Sequence, residues 1–191
     1  MEEKEICLKS NVSFEEIKNI MFDIGFKVQE DFQMNDIYMI NKDVDISLDN
    51  KDIIFKDNIL VRETVGKRTL LVNKIKKLDD NGVVIGERKV KCPIADSLSG
   101  YNFLCSIGYK KVFELKDHNL LVTNGVNEIY IQDVEGLGTY IEMEQKNLLL
   151  KETNGDSIDE LVNTIKKYNL PLDYSDISVK KSLEMLKIIC K

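Results

Sequence analysis

Asp133-Val134-Glu135-Gly136-Leu137-Gly138-Thr139-Tyr140-Ile141-Glu142-Met143-Glu144 carries the most specific pattern in the chain. It reads as a strand ending at Asp133, a tight glycine-punctuated turn and a second, strictly alternating strand. Side chains along a strand point alternately to its two faces, so Tyr140, Glu142 and Glu144 share one face and Ile141 and Met143 the other. Together with Asp133 across the turn, this predicts a sheet face rich in carboxylates. Such a face either meets solvent or encloses something that neutralises it, such as a hard divalent cation.

The 191 residues are 43% hydrophobic and 31% charged, enough for one compact domain with a substantial core, and a single domain over 1–191 is expected. A net charge of −6 and an isoelectric point near 5.0 argue against non-specific binding to nucleic acid or to a membrane surface. No apolar run approaches the ~20 residues of a spanning helix, and the acidic start Met1-Glu2-Glu3-Lys4-Glu5 lacks the basic and apolar regions of a signal peptide. The expectation is a cytoplasmic protein, monomeric or homodimeric, with no nucleic-acid or membrane partner. Cys7, Cys92, Cys105 and Cys190 are scattered without a CxxC pair, which predicts reduced thiols rather than a zinc site or a disulfide framework. Arginine is scarce, confined to Arg62, Arg68 and Arg88.

Working outward, Glu5-Ile6-Cys7-Leu8-Lys9 alternates as a strand, with Glu5, Cys7 and Lys9 on one face. Ser13 and Glu16 form a capping box for a helix whose apolar positions Ile17, Ile20, Met21 and Ile24 precede a stop at Gly25. Short β-rich runs follow around 36–40, 44–48, 52–55, 58–64, 68–76 and 83–92, separated by turns such as Asp80-Asn81-Gly82. A helix over 96–107 comes next, then strands near 110–116, 119–123, 127–133 and 139–145. Ser157 and Glu160 form a second capping box, Pro171 breaks that helix, and a last helix covers 178–189. Roughly eight strands with mixed-charge and apolar faces predict an α+β fold: a closed antiparallel eight-stranded β-barrel, a tunnel with a polar lumen and helices packed outside.

The closing stretch resembles the signature of the CYTH proteins, the triphosphate tunnel metalloenzymes that include class IV adenylate cyclases and thiamine triphosphatases. That family closes its barrel with an Asp, a Val-x-Gly-Leu-Gly turn, an aromatic residue and a Glu-x-Glu pair, and Asp133, Val134, Gly136-Leu137-Gly138, Tyr140, Glu142 and Glu144 match it. The family's opening Glu-x-Glu-x-Lys corresponds to Glu5, Cys7 and Lys9, with a thiol in place of the central carboxylate; its Arg-x-Arg corresponds to Leu60 and Arg62, with the first arginine lost. Lys74 fits the next phosphate-facing lysine, Glu87-Arg88-Lys89-Val90-Lys91 stands where relatives carry Arg-x-Glu-x-Glu, and Lys116-Asp117-His118 stands where they carry Lys-x-Arg. Lys181-Ser182-Leu183 lacks the tyrosine that often ends the family's Lys-Ser-Tyr.

The resemblance implies a site in which Glu5, Glu142 and Glu144 hold Mg²⁺ or Mn²⁺, with Asp133, Lys74 and Lys116 as the catalytic set. Lys9, Arg62, Lys74, Lys89, Lys91, Lys116 and His118 are the implied phosphate ligands. The implied partner is a triphosphate-bearing small molecule: ATP, thiamine triphosphate or inorganic tripolyphosphate. Hydrolysis of the triphosphate, cyclisation of ATP to cyclic AMP and pyrophosphate, and binding without turnover all remain open. The losses at Cys7, Leu60, His118 and Leu183 motivate the last of these.

Overall fold

The computed structural model describes residues 5–56, 58–78, 84–144 and 158–191; over 74–78 and 84–88 it describes the backbone alone. The elements run β1 (Glu5–Ser10), α1 (Phe14–Asp23), β2 (Lys27–Asn41), α2 (Lys51–Lys56), β3 (Ile59–Thr64), β4 (Arg68–Leu78) and β5 (Val84–Ile94). They continue with α3 (Ser97–Ser106), β6 (Tyr109–Thr123), β7 (Glu128–Val134), β8 (Gly138–Glu144), α4 (Ile158–Lys166), β9 (Leu172–Asp173) and α5 (Lys181–Ile189). The α+β class holds: the described residues form a large antiparallel sheet with five helices.

The expectation of a closed eight-stranded barrel is corrected: among the described residues the sheet has nine strands in the order β5-β4-β3-β2-β6-β7-β8-β1-β9 and is open. The physical reason lies at β1. One edge of β1 is paired with β8; along the other, Lys9 and Ser10 pair with Asp173 and Leu172 of β9. The Cys7 backbone N–H donates to the Ile177 carbonyl at 3.0 Å, and the Val179 N–H donates to the Cys7 carbonyl at 3.0 Å. Both edges of β1 are therefore occupied, the second by a short segment with no alternating pattern to announce it.

Other expectations shift for local reasons. The β-rich run at 52–55 forms α2, burying Ile54 and leaving Ile53 exposed, and 44–48 forms bends and irregular chain. The run at 36–40 extends back to Lys27 as β2, the runs at 110–116 and 119–123 merge into β6, and the last helix starts at Lys181. Ser157 and the Asp80-Asn81-Gly82 turn lie outside the described residues.

The described residues fall into two compact units, one within 3–32 and 117–180, the other within 33–116 and 181–191. In the first unit, Ile6 and Leu8 of β1, Leu120 and Val122 of β6, Ile129 and Ile131 of β7, and Ile141 and Met143 of β8 form one apolar sheet face; Phe14, Ile17 and Met21 of α1 pack in the same core, with Leu161 and Ile165 of α4. The positions of α1 recur at helical spacing because only one stripe is buried. Its predicted capping box is present: the Glu16 N–H donates to Ser13 Oγ at 3.4 Å, and the Ser13 N–H donates to Glu16 Oε2 at 3.0 Å. Gly25 ends it at φ 96°, a left-handed conformation that suits glycine. In the second unit Met39, Val61 and Leu104 form one core cluster, with Ile37, Ile59, Leu71 and Tyr101 against it. Among the described residues no helix is long and apolar enough to cross a membrane.

Candidate metal and phosphate site

Opposite the apolar face of the first unit, β1 and β8 carry the polar residues that alternation predicts. The β1–β8 ladder pairs Glu5 with Glu144, Cys7 with Glu142 and Lys9 with Tyr140. Directly opposed residues in an antiparallel pair point to the same face, so this register builds one polar surface from two strands far apart in the chain. One ligand oxygen from each of Glu5, Glu142 and Glu144 lies within 4.8 Å of the others. Glu5 is exposed, Glu142 half-buried and Glu144 buried, so the cluster grades inward from solvent. Carboxylates gathered this closely repel unless a cation or hydrogen-bond donors offset them.

Lys9 stands one same-face position beyond Cys7, its Nζ 5.8 Å from the centroid of the Tyr140 ring, and pairs across β1–β9 with Asp173. The Asp173 carboxyl is held below its usual range, chiefly by the Ser175 N–H at 2.8 Å and then by the Ser175 hydroxyl, with the Lys9 charge a smaller cause.

The same face continues through residues outside the expected site set. Tyr130 stands across from Glu142 and Gln132 across from Tyr140 on β7–β8, while Asn119 stands across from Gln132 on β6–β7. Gln132 Nε2 donates to Asn119 Oδ1 at 2.8 Å, and Asn119 Nδ2 donates to Asp117 Oδ1 at 2.7 Å; all three residues are buried. A sequence signal existed, since Asp117 and Asn119 alternate with His118, but alternation alone leaves open which set faces which side.

That ambiguity bears on where three of the expected site residues stand. Asp133 pairs with Thr139, not with Tyr140, so its side chain leaves the sheet on the α1 side, away from Glu142 and Glu144. His118 stands directly across from Asp133 on that same side; its Nε2 is 2.8 Å from Asp31 Oδ1 and its ring centroid 5.0 Å from that of Phe14. Lys116, two residues earlier on the same side of β6, is exposed, with its Nζ 3.7 Å from Glu114 Oε1. Asp133 and His118, with Lys9, Ser10, Ser13 and Thr139, line an open cleft of about 800 Å³ beside the start of α1, distinct from the carboxylate cluster.

In the second unit the remaining predicted cations are brought together by register. Leu60 pairs with Val72 and Arg62 with Leu70 on β3–β4; Val72 then pairs with Lys91 and Lys74 with Lys89 on β4–β5. Arg62, Lys74, Lys89 and Lys91 thus occupy positions on one sheet face, opposite the face of Val61 and Leu71. The side chain of Lys74 is outside the described atoms. Arg62 faces Asp36 directly across β2–β3, with Nε to Oδ1 at 2.7 Å and Nη2 to Oδ2 at 2.5 Å.

No family model matches the chain, and no curated protein matches it. Among solved structures, it is similar to a conserved hypothetical protein of Pyrococcus furiosus, with TM-score 0.66 and 15% identity over 95% of this chain and 98% of that one. A protein of Pyrococcus horikoshii superposes with TM-score 0.65 and 22% identity over 98% and 99% of the two chains. A putative adenylate cyclase of Vibrio parahaemolyticus superposes with TM-score 0.62 and 16% identity over 98% of each. The chain shares the fold of these proteins. At these identities the CYTH-like likeness is one of architecture, spanning nearly the whole chain and including the closing β7–β8 hairpin and the opening β1.

Proposed function

We propose that this chain is a divalent-metal-dependent protein that binds a triphosphate and hydrolyses it. The observation that carries the reading is the convergence of Glu5, Glu142 and Glu144 within 4.8 Å on one face of a CYTH-like fold. Three carboxylates make an all-oxygen donor set, the chemistry that Mg²⁺ and Mn²⁺ prefer, and these residues fit such an ion. When bound, the ion would offset the negative charge of phosphate oxygens during transfer. Lys9 adds a positive charge beside the carboxylates, and within the second unit Arg62, Lys89 and Lys91 share one sheet face, cations of the kind that suit phosphate oxygens. Lys116, His118 and Asp133, turned to the other side of their strands, are left for roles outside the carboxylate cluster.

A nucleoside triphosphate is the substrate class suggested by the Vibrio protein, and attack by a ribose hydroxyl in place of water would give cyclic AMP and pyrophosphate. Hydrolysis is preferred because it demands less exact placement of a nucleoside. A second reading, binding without turnover, is favoured by a specific observation: Cys7 occupies the rung opposite Glu142, where an additional carboxylate would complete the cluster. A neutral thiol is a poor ligand for Mg²⁺.

Phosphorus NMR of the purified protein with tripolyphosphate, ATP and thiamine triphosphate, each with Mg²⁺ or Mn²⁺ and then a chelator, tests the proposal. Chelator-sensitive conversion to phosphate supports hydrolysis, and cyclic AMP with pyrophosphate supports the cyclase reading. Metal-dependent broadening without conversion, lost in Glu142→Ala, supports binding alone. Spectra unchanged by the protein overturn all three.

A further inference from the structure

The open cleft beside the start of α1 lies wholly within the first unit and plays no part in the triphosphate reading. One rung of the sheet runs through its lining. His118 on β6, Asp133 on β7 and Thr139 on β8 are direct cross-strand partners in a row, so their side chains leave the same face about 5 Å apart. Ser10, Val12 and Phe14 line the same cleft, from the end of β1 to the first residue of α1.

Most of the charges around the cleft are engaged. Glu15 pairs with Lys18, Glu16 is taken up by the Ser13 cap and offsets the positive end of α1, and Asp31 is 2.8 Å from the His118 ring. Lys9 places its Nζ 5.8 Å from the ring centroid of Tyr140, which stands on the other face of the sheet. Asp133 is exposed and, among the described residues, has neither a hydrogen bond nor an ion pair.

An exposed carboxylate alone holds a cation weakly, and Thr139 is what turns the row into a site. It is 6% exposed, lines the cleft, and its hydroxyl has no hydrogen-bond partner among the described residues. A hydroxyl buried in that way costs stability, and a valine would fill the same space without the cost. A bare metal ion fits this rung poorly: among the described residues the group of side chains close enough to share an ion is Glu5, Glu142 and Glu144. A lone carboxylate, a neutral acceptor about 5 Å along the rung and the apolar Val12 and Phe14 in the same lining match a group with one positive charge, several N–H donors and an apolar stem.

We propose that this cleft binds a primary alkylammonium ligand. Asp133 pairs with its charge, the Thr139 hydroxyl accepts one of its N–H bonds, and the stem lies against Val12 and Phe14. The site is separate from the carboxylate cluster on the opposite face and is independent of the triphosphate reading.

The probe is n-butylammonium chloride, with 1-butanol as its neutral counterpart and sodium chloride at matched ionic strength. His118 is the only histidine in the chain, so its ring protons give an unobscured NMR reporter at one end of the rung. Butylammonium is expected to shift those signals saturably, with or without Mg²⁺, whereas butanol and sodium chloride leave them in place. Asp133→Asn is expected to raise the Kd about tenfold and Thr139→Val about threefold. Thr139→Val is also expected to keep or raise the melting temperature, because the hydroxyl gives up no bond within the protein.

Wild-type protein without a saturable shift overturns the proposal, and so does wild-type affinity in Asp133→Asn. An equal response to butanol means that charge is not what the cleft recognises, and displacement of the amine by Mg²⁺ puts it at the carboxylate cluster; either outcome refutes the assignment. A Thr139→Val protein that melts lower or does not fold shows that the hydroxyl serves the fold, which also overturns it.

Discussion

Cys7 lies directly across the β1–β8 ladder from Glu142, one same-face step inside the pairing of Glu5 with Glu144. A buried thiol thus shares the sheet face of the carboxylate cluster, on a backbone held in place because its own N–H and carbonyl bond to Ile177 and Val179 on the far edge of β1. Replacing it with an acid of similar volume completes an oxygen cage without lengthening the chain. Cys7→Asp is expected to tighten Mg²⁺ and Mn²⁺ binding by about tenfold or more in calorimetry. In metal-free buffer it should lower the melting temperature, since a further carboxylate joins an already crowded set. Unchanged metal affinity would show that this corner is out of the ion's reach.

Ile17 is fully buried in the core shared by α1 and the apolar sheet face, whereas Ile20 is only partly buried against it. Ile17→Ala should cost about 2–5 kcal/mol in urea denaturation followed by circular dichroism, and Ile20→Ala clearly less. Equal costs would mean that α1 is rotated from the orientation described.

The start of α1 carries a pH signature. The Ser13 hydroxyl and N–H hold the Glu16 carboxyl below its usual range, and the Ser99 N–H and hydroxyl do the same for Asp96 at the start of α3. A depressed folded pKa means that the stabilisation is present above the unfolded value, about 4, and is lost as pH falls through the folded value. Melting temperature is therefore expected to drop below about pH 4. Ser13→Ala should cost about 1 kcal/mol at neutral pH and flatten part of that acid dependence. A Ser13→Ala variant with the wild-type acid profile would contradict the linkage.

Tyr38 gives the alkaline counterpart. Burial pushes its phenol well above the ordinary tyrosine range, and the Asp36 charge pushes it further; Arg62 and a hydrogen bond with Ser182 oppose the shift. For a raised folded pKa, stability is complete below the unfolded value, about 10, and falls as pH rises beyond it. Ultraviolet titration should show one tyrosine ionising only on unfolding. Tyr38→Phe should weaken the alkaline loss of stability. Ionisation of every tyrosine in the folded protein would refute the burial argument.

Alternation and capping chemistry are local, so one reading of the chain was enough to assign the faces of β1 and β8, to start α1 at Ser13 and to place Glu142 and Glu144 side by side. Which side of the sheet the alternating sets of β6 and β7 occupy is not local. It depends on the hydrogen-bonded register across the Gly136–Gly138 turn, which sets Asp133 opposite Thr139 and turns His118 toward Phe14. Contacts between distant segments were equally invisible: Asp36 meets Arg62 across 26 positions, and β9 with the residues after it covers the free edge of β1. A period of two tells which residues travel together. Only strand pairing and the burial of one face decide where they go.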